Sequence, residues 1–138
     1  MKPADMGTKR QNDQSPLPPA VMVHAQAQAQ RVLEVGRPVT LLSSPAAAGA
    51  WGCLWWQKLL EAALHTGPAV LDCGASPGRA VEALELGLRG LVLAPCVVWA
   101  EVAALAAQKQ AMLLPTPPEA LDMGQKPTQT RLMAWLGG

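Results

Sequence analysis

The stretch AVLDCGASPGRAVEALELGLRGLVLA, residues 69–94, decides the fold. It opens on a short apolar run that ends in Asp72 and Cys73 and turns through Gly74, Ser76 and Pro77. An Ala-, Glu- and Leu-rich segment follows, stopped by Gly87 before a second apolar run, RGLVLA. Short runs that are apolar throughout are strands covered on both faces, and a helical segment between two of them is a crossover that forces parallel pairing. Ser76 is placed to cap a helix from Pro77 to Leu86, proline suits its first position, and Gly87 can take the left-handed conformation that ends it.

The same rhythm extends in both directions. PVTLLS (38–43) precedes a Trp-rich helix over 51–65, Gly67-Pro68 separates that helix from AVLDC, and RGLVLA is followed by a helix over 97–109 and by AMLLP at 111–115. The pattern predicts an α/β fold: a small open, mainly parallel four-stranded sheet flanked by helices, Rossmann-like or flavodoxin-like. Upstream, AVMVHAQAQAQRVLE (20–34) reads as a helix, because small and straight-chain residues favour helix over a pleated surface and Val21, Ala25, Ala29 and Val32 recur at helical spacing. Residues 1–19 are polar and Pro-containing and are expected to be a disordered leader. Turn formers crowd the chain after Pro115, so the domain is expected to span 20–121. The tail, 122–138, would then fold back through TRLMAWL as a short docked helix over a sheet edge or apolar groove.

Bulk composition removes several classes of function. A chain of 138 residues suits one hydrophobic core, and eleven Lys and Arg against ten Asp and Glu leave a net charge of only +1. Such a balance offers no cationic surplus for a nucleic-acid backbone or an anionic bilayer, so neither is an expected partner. The three cysteines are widely spaced, and the N-terminus has no apolar stretch resembling an export signal. A soluble protein in a reducing cytoplasm is therefore expected.

In an open parallel sheet, ligands gather beyond the carboxyl ends of the strands. That edge would hold Ser44 after the first strand, Asp72 and Cys73 at the end of the second, Gly74, Ser76 and Gly78 in the turn beyond it, and Cys96 after the third. Cys53 begins the helix after the first strand, so all three cysteines fall on this edge. With no C-x-x-C and with His24 and His65 on helices elsewhere, no metal and no cofactor is expected. Cys53 or Cys96 could be activated at a helix start, but no base is assigned and no catalytic residue is named. His24 is expected to face solvent and His65 to pair with Glu61.

The residues VLDCGASPG (70–78) resemble the first motif of Rossmann-type S-adenosylmethionine-dependent methyltransferases. The resemblance covers about nine residues and implies that Asp72, Gly74 and Gly78 would line a cofactor loop. Those enzymes usually carry an acidic residue at the end of the next strand, where this chain has LVLAP (91–95). The preferred reading is architectural: Gly74 and Gly78 make a tight connection and let helix pack close to strand.

With no Phe and no Tyr, the five Trp supply the bulky rigid surface. Trp56 falls on the apolar face of its helix and is assigned to the core. Trp51, Trp55, Trp99 and Trp135 are the candidate interface residues. The function expected from these features is a non-enzymatic α/β domain that acts by associating with a second copy or another protein. The alternative is a small-ligand or nucleotide-binding domain, a diverged methyltransferase-like protein with its site around Ser44, Asp72, Gly74, Ser76 and Gly78.

Overall fold

The computed structural model describes residues 17–137, so the expected leader lies outside the described residues up to position 16. In chain order the elements are β1 (Ala20–Met22), α1 (Gln26–Leu33), β2 (Thr40–Leu42), α2 (Ala47–Trp51), α3 (Cys53–Ala62), β3 (Ala69–Asp72) and α4 (Pro77–Glu85). There follow β4 (Gly90–Val92), α5 (Trp99–Gln108), β5 (Met112–Leu114), β6 (Ala120–Asp122), a 3-10 turn (Met123–Gln125) and α6 (Gln129–Gly137). The α/β architecture and parallel pairing agree with the sequence, but the sheet has six strands instead of four, in the order β5-β4-β3-β2-β1-β6.

Both additional strands lie at the far end of that order. β1 occupies the start of the stretch read as a helix over 20–34, and the helix itself covers only Gln26–Leu33. Val21 and Val23 are both fully buried, with Met22 between them on the opposite face. Parallel pairing to β2 on one side and β6 on the other outweighs the local helix preference. The chain leaves the strand through His24 and Ala25, and Ala25 is still extended (φ −155°, ψ 159°) where the helix begins. β6 lies across the boundary drawn at residue 121.

Strands β1 to β5 are added one after another on the same side of the sheet. Right-handed crossovers then place every connecting helix on one face. The core agrees. Val21, Leu41, Leu71, Leu91 and Leu121 share one side and pack with Val32, Trp56, Leu84, Val102 and Leu132 from α1, α3, α4, α5 and α6. The other side carries a separate cluster in which Met22, Met112, Leu114 and Ala120 pack against Leu42, Val70 and Val92. Helices were expected over both faces, and the one-directional winding is why they cover only one.

The centre of the uncovered side, Leu42, Val70 and Val92, is buried because the sheet curls. Laid flat, β5 and β6 would stand five strand spacings apart, about 24 Å. The six Cα steps from Leu114 to Ala120 reach at most about 21 Å. Curling brings the outer strands toward each other, puts the helices on the convex surface and lets Leu42, Val70 and Val92 bury one another on the concave one. Gly90 belongs to this tight wall: a Cβ there would run into the Ala69 carbonyl oxygen of β3.

The C-terminal segment is part of this structure. Leu132 and Leu136 of α6 are buried in the main core, the Trp135 indole N–H donates to the Ala20 carbonyl of β1 at 2.7 Å, and the Arg31 guanidinium of α1 donates to the Pro127 carbonyl at 2.9 Å.

Candidate functional site

All six strands run parallel, so their carboxyl ends share one rim. The turn from Asp72 to Gly78 lies there and is closed by its own groups. Asp72 is 6% exposed; its Oδ1 accepts the Gly74 N–H at 2.8 Å, and its backbone N–H donates to Ser43 Oγ at 2.9 Å. The Ser43 hydroxyl in turn donates to the Ser44 carbonyl at 3.1 Å. Gly74 takes φ +59°, and a Cβ on it would stand 3.0 Å from that of Ala46. Ser76 caps α4, its hydroxyl accepting the Arg79 N–H at 3.3 Å, with Pro77 at the first helical position. These contacts make a rigid connection. Gly78 does not serve close packing, since a Cβ there would meet nothing within 4 Å. It lines an apolar cavity of about 350 Å³ between α4 and α5, together with Val81, Val102 and Leu105.

The three thiols are free and unequal. Cys53 and Cys73 are buried, and the Cys53 thiol donates to the Arg79 carbonyl at 3.3 Å. Burial pushes the Cys73 thiol up to about 12, with the charges of Cys53 and Asp72 adding to the effect. Burial also raises Cys53, helped by Glu82 and opposed by Arg79. Neither is a nucleophile near neutral pH. Cys96 is only partly buried. Among the described residues, no three His, Cys, Asp or Glu gather in a group that could hold a metal ion, and no helix is long and apolar enough to cross a membrane.

The tryptophans divide by role. Trp56 is in the core as expected, and the Trp135 side chain fastens α6 to β1. Trp99 is half-buried at the start of α5. Trp51 ends α2 with 65% of its surface exposed, and its ring centroid lies 6.1 Å from that of Trp55, which lies 5.9 Å from that of Trp56. Gly52, at φ +91°, breaks the helix expected over 51–65 and turns α2 away from α3, leaving Trp51 at a projecting corner. Leu54, three positions on at the start of α3, is 51% exposed.

A pair not expected from the sequence occupies another part of the rim. His24, in the turn after β1, places Nε2 2.7 Å from Oδ1 of Asp122 at the end of β6, and the Gly124 N–H donates to the same oxygen at 2.8 Å. Burial alone would raise the Asp122 pKa, but the His24 hydrogen bond, the Gly124 N–H and the imidazole charge together hold it below its ordinary value. His24 faces solvent as expected, with 37% of its side chain exposed, but it sits in the turn after β1 and not on a helix, and it is tied to Asp122 across 98 positions because β6 pairs with β1. His65 also differs from expectation. Its Nε2 lies 2.8 Å from the Pro68 carbonyl oxygen, and Glu61 pairs with Lys58. The one sequence signal for the His24 position is the alternation Val21-Met22-Val23, which marks a strand ending just before it.

No protein-family model, curated protein or solved structure matches this chain. The arrangement offers a closed turn at Asp72, two inert thiols, an apolar corner at Trp51 and a buttressed imidazole at His24.

Proposed function

We propose that this chain is an association domain that pairs with a second copy of itself through the α2–α3 corner. One observation carries this reading: Trp51 is 65% exposed, and Leu54, three positions on at the start of α3, is 51% exposed, in a chain with only five Trp. An indole of up to about 250 Å² exposed to that extent leaves about 160 Å² in water, worth about 4 kcal/mol if covered. Trp is the residue type most often found at the energetic centre of interfaces. Small patches such as this one support weak, reversible pairing, since stable interfaces bury about 1,200 Å² or more in total. The near-neutral net charge leaves little long-range repulsion between copies. Free thiols suit a reducing cytoplasm as the place where it acts.

Sedimentation equilibrium over a wide concentration range tests the proposal. The wild-type chain should move from monomer toward dimer, and Trp51→Ala with Leu54→Ser should remain monomeric with an unchanged circular dichroism spectrum. A wild-type chain that stays monomeric, or a double variant that pairs as well as wild type, would overturn it.

A further inference from the structure

A cavity of about 410 Å³ opens between the β1–α1 turn and α3, lined by His24, Gln26, Trp55, Lys58 and Leu59. Its walls combine two chemistries. Trp55 and Leu59 supply an aromatic and an aliphatic surface. Positive charge converges from Lys58, from His24 when protonated, and from the start of α1. That helix begins without a side-chain cap and without an acidic residue in its first turn. Among the described residues, no carboxylate lines the cavity. Two carboxylates pair with its cationic residues: Asp122 Oδ1 lies 2.7 Å from His24 Nε2, and Glu61 meets Lys58 at 3.4 Å on the exposed surface of α3. An exposed pair at that distance is weak, and an incoming anion can replace it. With Nε2 donating to Asp122, Nδ1 can donate to an incoming anion only when the imidazole is protonated on both nitrogens.

We infer that this cavity is a binding site for a planar aromatic anion, a ring system bearing one carboxylate or one phosphate, with the ring against Trp55 and Leu59 and the charge between Lys58 and His24. The volume suits a small ligand, and a mostly apolar wall with a few convergent polar groups is the usual form of such sites.

Isothermal titration of the full chain tests this with 1-naphthoate and adenosine monophosphate as probes and with 1-naphthalenemethanol and adenosine as their uncharged counterparts. Saturable binding of at least one anion is expected, with its uncharged counterpart weaker by about ten-fold or more, the size of one charge-assisted hydrogen bond. Naphthoate alone would identify a carboxylate site, and the nucleotide alone a phosphate site. Lys58→Gln alters an exposed side chain and should fold normally; it should weaken the anion about ten-fold and leave the uncharged ligand unchanged. His24→Gln provides a second variant on the opposite wall and should also weaken the anion. Failure of both anions to bind, or binding that neither variant weakens, would overturn the assignment.

Discussion

Replacing Leu132 with Ala distinguishes an integral α6 from a detachable tail. Leu132 is 0% exposed and packs in the same core as Val21 and Val32, while neighbouring Trp135 donates to the backbone of β1, an interior strand of the sheet. Buried Leu→Ala changes cost about 2.7–5.0 kcal/mol depending on how far the site collapses. A helix at the end of the chain can relax inward, so a value of about 3 kcal/mol is expected. For a domain of this size that is a fall in Tm of roughly 12 °C. Urea unfolding followed by Trp fluorescence and by far-ultraviolet circular dichroism should give one coincident transition, displaced to lower denaturant with an unchanged slope. If α6 were only docked, the loss would be capped by the free energy of undocking it, and the sheet would unfold at its wild-type midpoint. A displacement below about 1 kcal/mol, or two separated transitions, would refute the integral helix.

Other consequences concern the rim and the curled sheet. The folded-state pKa of Asp122 is depressed, so its contribution to stability is present above the unfolded-state value and is lost as pH falls through the folded one. Acid unfolding curves of wild type and Asp122→Asn should therefore converge at low pH and separate toward neutral pH, and parallel curves would contradict this. In the native protein at neutral pH only Cys96 should react promptly with an aromatic disulfide reagent, since Cys53 and Cys73 are buried and raised; rapid labelling of all three would show that the core opens. Ser76→Ala should cost about 0.5–1 kcal/mol in chemical unfolding, the low end for a cap, because its bond to the Arg79 N–H is long at 3.3 Å. Gly90→Ala, which at an open strand position would stabilise, should instead destabilise and leave little folded protein, and near-wild-type stability would show that β3 and β4 are not held so closely.

The strands between residues 40 and 114 are legible in the sequence because each is a compact apolar run bounded by Gly or Pro, and the helices between them are legible apart from the break at Gly52 that sets α2 off from α3. β1 is not legible. AVMV passes directly into HAQAQAQ, and nothing local says that Val21 will be held between two other strands. β6 is hidden for a related reason, being three residues, Ala-Leu-Asp, between a proline cluster and a glycine. Missing both strands also hides the curl, since the short 115–119 link acquires meaning only once Ala120 is known to pair beside Ala20.

The candidate site follows the same division. Asp72, Gly74 and Ser76 lie at the carboxyl ends of the strands, and their capping and turn chemistry is local enough to read from spacing. That Asp72 spends its hydrogen bonds on Gly74 and Ser43 depends on β2 lying alongside. The His24–Asp122 pair spans nearly the whole described chain and needs the β1–β6 pairing before it can be seen. The projecting position of Trp51 rests on Gly52, a break inside what reads as one continuous helix.

Fluorine NMR on protein carrying 5-fluorotryptophan tests the association surface most directly, with each of the five resonances assigned by substitution. As concentration rises the Trp51 signal should shift or broaden, Trp55 should follow to a smaller extent, and the buried Trp56 signal should stay in place. A Trp51 signal that keeps its dilute position while the chain self-associates, or while it remains monomeric at every concentration, would contradict pairing through the α2–α3 corner.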